Sequence, residues 1–246
     1  MEDIIDIFRN YRFVDLTHTL REGVPSFSPY IRRVMKSIDH GDFYNSNIIQ
    51  MAEHQGTHMD APSHIGGKRS INGIPIHLCF GPCNAIDLTY KKNGEYVWPE
   101  DIKRYENKYG NINKEEIVLL NYGWDNQWKI KSKKNQQKGL SNFYKNFPGL
   151  SKDAANYFGD LGIKLIGTDT PTIDAYTNFE KALNSAIVEP AHKALLIDHG
   201  ITIVECLKNL DKIPIKGAYF FAFPLKIYQG SGSPVRALAL TPKKKS

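Results

Sequence analysis

The chain has 246 residues and a formal net charge of +6, with 41% hydrophobic and 24% charged residues. This composition is typical of a soluble globular protein with a substantial core, and no apolar run approaches the roughly 18 residues that a membrane-spanning helix needs. The acidic N-terminus lacks the features of a signal peptide, and the cysteines are odd in number (Cys79, Cys83 and Cys206), so we expect a reduced, cytoplasmic protein without membrane contact.

The positive charge is concentrated in two short segments. Residues 129–138 hold five lysines and no acid, and residues 243–245 are three further lysines. Without these eight lysines the net charge would be −2. This distribution favours a solvated loop and a basic tail over a nucleic-acid-binding surface, so we expect no nucleic-acid partner.

The predicted elements alternate between strands and helices. Two segments predict helices: 151–162 has an N-cap serine and a C-terminal glycine, and 190–200 has a proline in its first turn and a glycine past its end. This order predicts a single mixed α/β domain over 1–241, with a mostly β core and flanking helices, followed by a disordered basic tail over 242–246. Segments rich in β-branched and aromatic residues predict strands at 12–20, 47–60, 83–90, 116–123, 163–169, 201–207, 218–227 and 235–241.

The segment HQGTHMDAPSH, residues 54–64, places three histidines and one aspartate within eleven positions. Its glycine and its proline would interrupt a helix. In an extended chain, alternate side chains share a face, so His54, His58 and Asp60 would converge, and Gly56 would leave a gap for a cation. Two neutral imidazoles and a carboxylate suit zinc, manganese or another first-row divalent ion. The alternative is a polar turn, and the density of ligand types favours the metal site.

The same segment resembles the H-x-G-T-H-x-D-x-P-x-H signature of the metal-dependent cyclase-like hydrolases, a family that includes bacterial kynurenine formamidases and isatin hydrolases. The resemblance extends over most of the chain and implies the swivelling β/β/α fold of that family. The other segments that carry it, in the order of the family, are RFVDLTHTL (12–20), LGIKLIGTDTPTID (161–174), AHKALLIDHGITIVECLKNL (191–210) and FFAFPLKIYQGSGSPVRALAL (220–240).

The resemblance assigns a role to each polar residue of the first motif. His54, His58 and Asp60 match the metal ligands of the family. His64 matches the histidine that the family uses as general acid/base.

The resemblance also implies a second metal position, so that one or two ions bind per chain. His192 and Glu205 match the distal ligands, with Asp60 bridging the two positions. They lie 13 residues apart, one more than the family pattern leads us to expect. His199 is therefore an alternative to His192.

Three further residues are candidates around the metal. Asp169 follows a predicted strand, where its carboxylate could either accept a hydrogen bond from a ligating imidazole or cap a turn. Phe27 and Tyr30 lie where the resemblance implies an aromatic wall for the substrate. The P-G-D stretch that is usual there is missing, which leaves the substrate open.

These residues predict amide hydrolysis without a serine nucleophile, because G-x-S-x-G is absent. A metal-bound hydroxide, available near neutral pH, would attack a carbonyl that the metal polarises. His64, with an ordinary pKa near 6.5, would take the proton from water and give it to the leaving nitrogen.

The sequence therefore predicts a metal-dependent hydrolase of carbon–nitrogen bonds in a small molecule. The first candidate is an aryl-formamidase acting on N-formylkynurenine. The second is an isatin-hydrolase-like enzyme for cyclic amides or lactones, and the third is a metal-binding module without catalysis. The resemblance implies a homodimer or larger homo-oligomer, since relatives place residues of a partner chain near the pocket.

Overall fold

The computed structural model describes residues 9–130, 141–185 and 189–243. In these ranges we number the strands in chain order. They are β1 (Tyr11–Asp15), β2 (Ile31–Lys36), β3 (Ser46–Gln50), β4 (His58–Asp60), β5 (Phe80–Asp87), β6 (Tyr96–Val97), β7 (Ile117–Asn121), β8 (Gly149–Leu150), β9 (Leu165–Thr168), β10 (Thr202–Glu205), β11 (Ala218–Pro224) and β12 (Gly232–Pro242).

The helices of the same ranges connect the central strands. They are α1 (Pro99–Tyr109), α2 (Lys152–Leu161), α3 (Tyr176–Ser185) and the short α4 (Pro190–His192), which continues as a π-helical turn over Lys193–Asp198. Because β5, β7, β9 and β10 pair in parallel, each connection between them has to cross back over the sheet, and the helices provide these crossovers.

A barrel forms the centre of the molecule. Eight strands make one sheet in the order β1-β12-β11-β5-β7-β9-β10-β4, and β4 also pairs with β12. This last pairing closes seven of the strands into a barrel, with β1 continuing along β12 beyond β4. The predicted mixed α/β domain with a β core and flanking helices is confirmed.

The central strands separate two apolar cores. In β7, Ile117 and Leu119 point into the barrel, whereas Val118 and Leu120 pack beneath the helices. A parallel strand covered on both faces reads as a continuous apolar run rather than an alternating one. This is why the segment at 116–123 could be predicted as a buried strand.

The two predicted helices are present, and two others were missed. Ser151 caps α2 by accepting a hydrogen bond from the Ala154 N–H at 3.1 Å. The segment predicted over 190–200 is α-helical only in its first turn and then becomes π-helical. Neither α1 nor α3 was predicted; in α1 the buried face consists of Ile102 and Tyr105 alone, which gives a weak apolar period.

The strand predicted over 47–60 is wrong in its middle. Residues 51–57 form a turn between β3 and β4, because Gly56 adopts a left-handed backbone with φ of 64°. A Cβ atom at Gly56 would lie 2.7 Å from Leu20 Cδ2. Gly56 therefore packs against Leu20, and the gap for a cation predicted there does not exist.

The predicted C-terminal tail begins too early. Strand β12 runs through Pro242, which pairs with Tyr11, and the Lys243 N–H donates to the Asn10 carbonyl at 2.8 Å. Residues 244–246 and most of the lysine-rich segment at 129–138 lie outside the described residues. In the part of the chain that is described, none of the helices has both the length and the apolar character needed to cross a membrane.

Candidate active site

Four buried titratable side chains meet at one end of the barrel. Strand β4 carries His58 and Asp60, and the antiparallel pairing of β4 with β10 sets Glu205 directly opposite His58. His192 is the last residue of α4. Its Nε2 lies 3.3 Å from Glu205 Oε1 and 3.6 Å from Asp60 Oδ2. Residues far apart in the sequence thus converge because the closed sheet brings their strands together.

The Asp60 carboxylate lies at the centre of this group. Its Oδ1 is 2.6 Å from His54 Nδ1 and 3.4 Å from His58 Nε2. Its Oδ2 is buried and has no hydrogen-bond partner among the residues that the structure describes. An unpaired carboxylate oxygen is costly to bury, and a bound cation would satisfy it. The imidazole and carboxylate donors around it fit zinc, manganese or a similar ion.

Two imidazoles are held so that their Nε2 atoms face the carboxylates. His58 Nδ1 donates to the Gly56 carbonyl at 2.8 Å. His192 Nδ1 donates to Asp174 Oδ2 at 2.9 Å. Metal-ligating histidines are commonly oriented in this way by a carbonyl or a carboxylate behind the ring. Both histidines therefore present the nitrogen that a metal would bind.

The electrostatics of the group show strong coupling between its charges. Burial lowers the pKa of His58 and His192, but neighbouring carboxylates outweigh it and raise both pKa values well above the usual range. Burial raises the pKa of Asp60, but the surrounding imidazoles hold it well below its usual range. The buried acids thus require positive charge beside them, which a divalent cation would supply in place of protons.

His54 and His64 flank the buried group on the solvent side. Their ring centroids are 4.0 Å apart. Potential ligand atoms of His54, Asp60 and His64 lie within 4.8 Å of one another, as do those of His58, Asp60 and Glu205. The two sets share Asp60, and a third set consists of Asp174, Glu189 and His192; the residues of the first two sets could hold one or two ions.

The His64 imidazole stands on a 3₁₀ turn, Pro62–Ile65, at the mouth of the cavity. Desolvation lowers its pKa below the usual 6.5, as do the His54, His192 and His58 imidazoles, against the opposing effect of Asp60. His64 is therefore neutral at neutral pH. A neutral imidazole can accept a proton there.

A cavity of about 280 Å³ opens beside these histidines. Phe27 forms part of its wall, with ring centroids 4.5 Å from Tyr144 and 5.7 Å from Phe179. Tyr30 is not among the residues that line it. The lining consists of Ser26, Phe27, Ser28, Ala52, His54, His58, His64, Tyr144, Pro171, Thr172, Phe179, Glu189, His192 and Glu205.

His192 and His199, the two candidates for the distal histidine ligand, lie in different parts of the structure. His192 lies in the site, whereas His199 is exposed and packs beside Gly159 on α2. The turn over Lys193–Asp198 is π-helical, and a π-helical turn contains one residue more than an α-helical one. This insertion accounts for the spacing of 13 residues between His192 and Glu205.

Asp169 caps a turn, which is the second of the two roles expected for it. Its carboxylate accepts hydrogen bonds from the Tyr122 N–H at 3.1 Å and the Trp124 N–H at 2.9 Å, so it caps the turn after β7. The carboxylate behind the His192 ring is that of Asp174. Asp174 ends the family-like segment at 161–174, so the sequence contained it, but the spacing alone did not distinguish the two aspartates.

Other residues of the site were missed for lack of a signal. Tyr144 and Phe179 complete the aromatic wall around Phe27, and Glu189 adds a carboxylate to the cavity. Each comes from a segment whose local sequence is unremarkable as a binding motif. Only the packing of the crossovers against the barrel brings them to the cavity.

Comparison with known proteins agrees with this geometry. A family model described as "Putative cyclase" matches residues 14–175. The isatin hydrolase of Roseibium aggregatum is 33% identical over 87% of this chain and 81% of its own length. The kynurenine formamidase of Bacillus cytotoxicus is 28% identical over 92% of this chain and 96% of its own.

A solved structure extends the likeness to the whole fold. The structure of an isatin hydrolase bound to the product analogue thioisatinate has a TM-score of 0.82 and 28% identity, and covers 96% of this chain and 95% of that one. Its agreement over nearly the full length matches the barrel and the flanking helices described above. The chain therefore belongs to the Cyclase family of metal-dependent hydrolases.

Proposed function

We propose that this protein hydrolyses an amide bond whose nitrogen is attached to an aromatic ring. The observation that carries the proposal is the buried group of His58, Asp60, His192 and Glu205, with one carboxylate oxygen unpaired, at the end of an aromatic cavity. N-formylkynurenine is the first candidate substrate, as an aryl-formamidase would require.

The residues that would hold the ion are His54, His58, Asp60, His192 and Glu205. When bound there, zinc or manganese supplies Lewis-acid polarisation of a carbonyl and activation of water near neutral pH. Asp60 belongs both to the set with His54 and His64 and to the set with His58 and Glu205; we assign His64 to proton transfer, and the remaining residues would hold one ion or two.

His64 is proposed to move the proton. Its imidazole lines the cavity beside His54 and is neutral at neutral pH. It can therefore accept a proton from water as the nucleophile forms and return it to the departing nitrogen. An aryl amine leaves more readily than an alkyl amine, so the transfer from His64 can be less complete.

The aromatic wall is proposed to orient the substrate. A flat ring held against Phe27 and Tyr144 buries its apolar surface and stacks on aromatic faces. This contact directs the attached amide toward His64. A formyl group suits the crowded end of the cavity because it carries only hydrogen on the attacked carbon.

A second candidate substrate is isatin, a cyclic amide on an aromatic ring. The relative at 33% identity and the solved structure with a TM-score of 0.82 are both isatin hydrolases. Both candidates share the aryl-attached amide, so the same site and proton transfer serve either one. A metal-binding module without catalysis remains the contrasting class.

The test is metal analysis combined with a substrate screen. We expect purified protein to hold one or two divalent ions per chain and to cleave N-formylkynurenine or isatin, with chelation abolishing activity and lowering the melting temperature. The variant His58→Ala/Asp60→Ala should hold no metal and should not respond to the chelator. Stoichiometric metal in that variant, or metal-loaded wild type inert toward both substrates, would refute the proposal.

We also propose a homodimer, on the evidence of the hairpin formed by β2 and β3. Its apolar side chains are exposed on both faces: Val34 and Ile49 lie on one and Ile48 on the other, each more than half exposed, and Met35 at the bulge is exposed as well. An isolated two-stranded hairpin is marginal in water, and exposed apolar patches mark interfaces. A second copy of the chain is the proposed partner that covers this hairpin.

The free, buried cysteines support a cytoplasmic location.

Light scattering tests the oligomeric state. We expect a dimer at micromolar concentration and a monomer for Val34→Asp/Ile49→Lys. Leu183→Lys, which changes an equally exposed apolar residue on α3, should remain a dimer. A fully active wild-type monomer would contradict the proposal.

A further inference from the structure

The charged residues of the cavity are unevenly distributed. Among the described residues that line it, neither lysine nor arginine occurs. Two carboxylates line it, and one of them, Glu205, belongs to the candidate metal group. The other is Glu189, whose ligand atoms lie near those of Asp174 and His192; because His192 Nδ1 already donates to Asp174 at 2.9 Å, we assign Glu189 to the cavity wall and not to the ion.

Among the described residues, one oxygen of Glu189 accepts no hydrogen bond. Its Oε1 accepts a hydrogen bond from the Thr172 hydroxyl at 3.3 Å, and its side chain does not cap the helix that follows. Its Oε2 lies 3.6 Å from His192 Nδ1, but that nitrogen donates to Asp174 at 2.9 Å. The side chain is 17% exposed, and Glu189 lines the cavity.

The position of Glu189 relative to His192 defines what it can reach. It lies on the Nδ1 side of the imidazole, whereas Asp60 and Glu205 lie on the Nε2 side. Glu189 and Glu205 both line the cavity, so a small amide with its carbonyl near Glu205 can have its nitrogen near Glu189. In either protonation state a carboxyl group retains an oxygen that can accept a hydrogen bond.

The proposed substrates share a donor that needs such an acceptor. N-formylkynurenine and isatin both carry an N–H on the amide under attack, and a flat ring against Phe27 would remove that N–H from water. A buried donor without a partner is costly. Resting on the function proposed above, we infer that Glu189 accepts a hydrogen bond from the substrate amide N–H, which makes it the residue that selects secondary aryl amides over N-alkylated ones.

Kinetics with paired substrates tests this contact. Metal-loaded wild type should favour isatin over N-methylisatin in kcat/KM. Glu189→Leu removes the acceptor and should reduce that preference by about tenfold, the effect of one buried hydrogen bond. Glu189→Gln retains an acceptor oxygen and should keep most of it. Glu100→Leu, on the exposed first turn of α1, is the matched control and should leave the preference unchanged.

Binding measurements separate this inference from the proposed function. Oxindole and 1-methyloxindole are lactams without the activating ketone, so calorimetry can compare their affinities without turnover. Wild type should bind oxindole about tenfold more tightly, and Glu189→Leu should bind the two alike. Equal binding by wild type overturns the inference even if the variant does not fold, as does a Glu189→Leu variant with the wild-type preference. If neither isatin nor N-formylkynurenine is cleaved while the Glu189-dependent binding difference persists, the proposed reaction fails and the contact stands.

Discussion

Asp174 and Asp169 form a natural pair for testing what orients the metal ligands. Both carboxylates are buried, and each accepts two backbone N–H groups: Asp174 from Ala191 and His192, both at 2.9 Å, and Asp169 from Tyr122 and Trp124. Asp174 alone also accepts from side chains, the His192 imidazole at 2.9 Å and the Asn178 amide at 3.2 Å. The two residues thus share a capping function, and only Asp174 contacts a residue of the site.

Substitution by asparagine should separate these functions. In either variant the amide NH₂ replaces one acceptor oxygen, and each buried N–H that loses its partner costs about 1–3 kcal/mol. Because each Asp174 oxygen accepts two donors and each Asp169 oxygen one, Asp174→Asn should lose more free energy of unfolding than Asp169→Asn when both are metal-free. Asp174→Asn should also weaken metal binding by about 10–100-fold, because His192 loses the carboxylate that sets its orientation.

The measurements are urea denaturation of the metal-free proteins and metal titration against a chromophoric chelator. Asp169→Asn should keep the wild-type metal affinity in spite of its own loss of stability. Wild-type metal affinity in Asp174→Asn, or an equal loss of affinity in both variants, would refute the assignment of Asp174 as the residue that orients His192.

Three further predictions concern proton transfer, the substrate and pH. His64→Ala should retain its metal and lose about 10²–10⁴-fold in kcat; a variant that lost its metal would show that His64 is a ligand. Phe27→Ala should raise KM for an aryl amide more than it lowers kcat, the pattern of lost uniform binding, and steady-state kinetics with an unchanged KM would contradict the aromatic wall. Burial raises the pKa of Asp169 to about 7 from 3.8, so its stabilising contribution is complete below about 3.8 and is lost as the pH rises through about 7. The free energy of unfolding of wild type minus that of Asp169→Asn should therefore fall from pH 4 to pH 7.5, and a constant difference would contradict the shift.

The proximal part of the site could be predicted because it is local. His54, His58 and Asp60 lie within seven positions, and their chemistry is visible in the sequence whatever the exact backbone. His192 and Glu205 required the resemblance to a family, since 132 positions or more separate them from His58 and Asp60. The pairing of β4 with β10 that joins them is a long-range contact, and a single sequence carries no direct signal for it.

The remaining parts could not be predicted because tertiary packing determines them. Tyr144 and Glu189 enter the cavity from crossover segments, whose positions depend on how the helices cover the barrel. The hairpin of β2 and β3 lacks a single apolar face, so its alternation gives no core-facing pattern. Helix α1 was missed because most of its surface is charged and only two of its side chains are buried, which leaves little apolar periodicity.

Gly56 shows how a correct set of ligands was reached through a wrong backbone. The extended chain that we expected would bring His54 and His58 to one face by alternation. In the structure a left-handed residue at Gly56 turns the chain, and its carbonyl then accepts from His58 Nδ1. The two backbones make opposite predictions for Gly56→Ala, because alanine fits an extended strand and is strained at positive φ.

We expect Gly56→Ala to destabilise the metal-free protein by about 1–2 kcal/mol from backbone strain alone. The contact of the new methyl group with Leu20 Cδ2, at 2.7 Å, should add to this loss. Leu20→Ala in the same chain removes that contact, so the double variant should lose less than the sum of the two single variants in urea denaturation. Gly66→Ala is the matched control, since Gly66 also has positive φ, 90°, but no atom within 4 Å of a Cβ; it should show strain without coupling to Leu20. A Gly56→Ala variant as stable as wild type would mean that residues 54–60 are extended, and the turn that presents His58 to Asp60 would have to be abandoned.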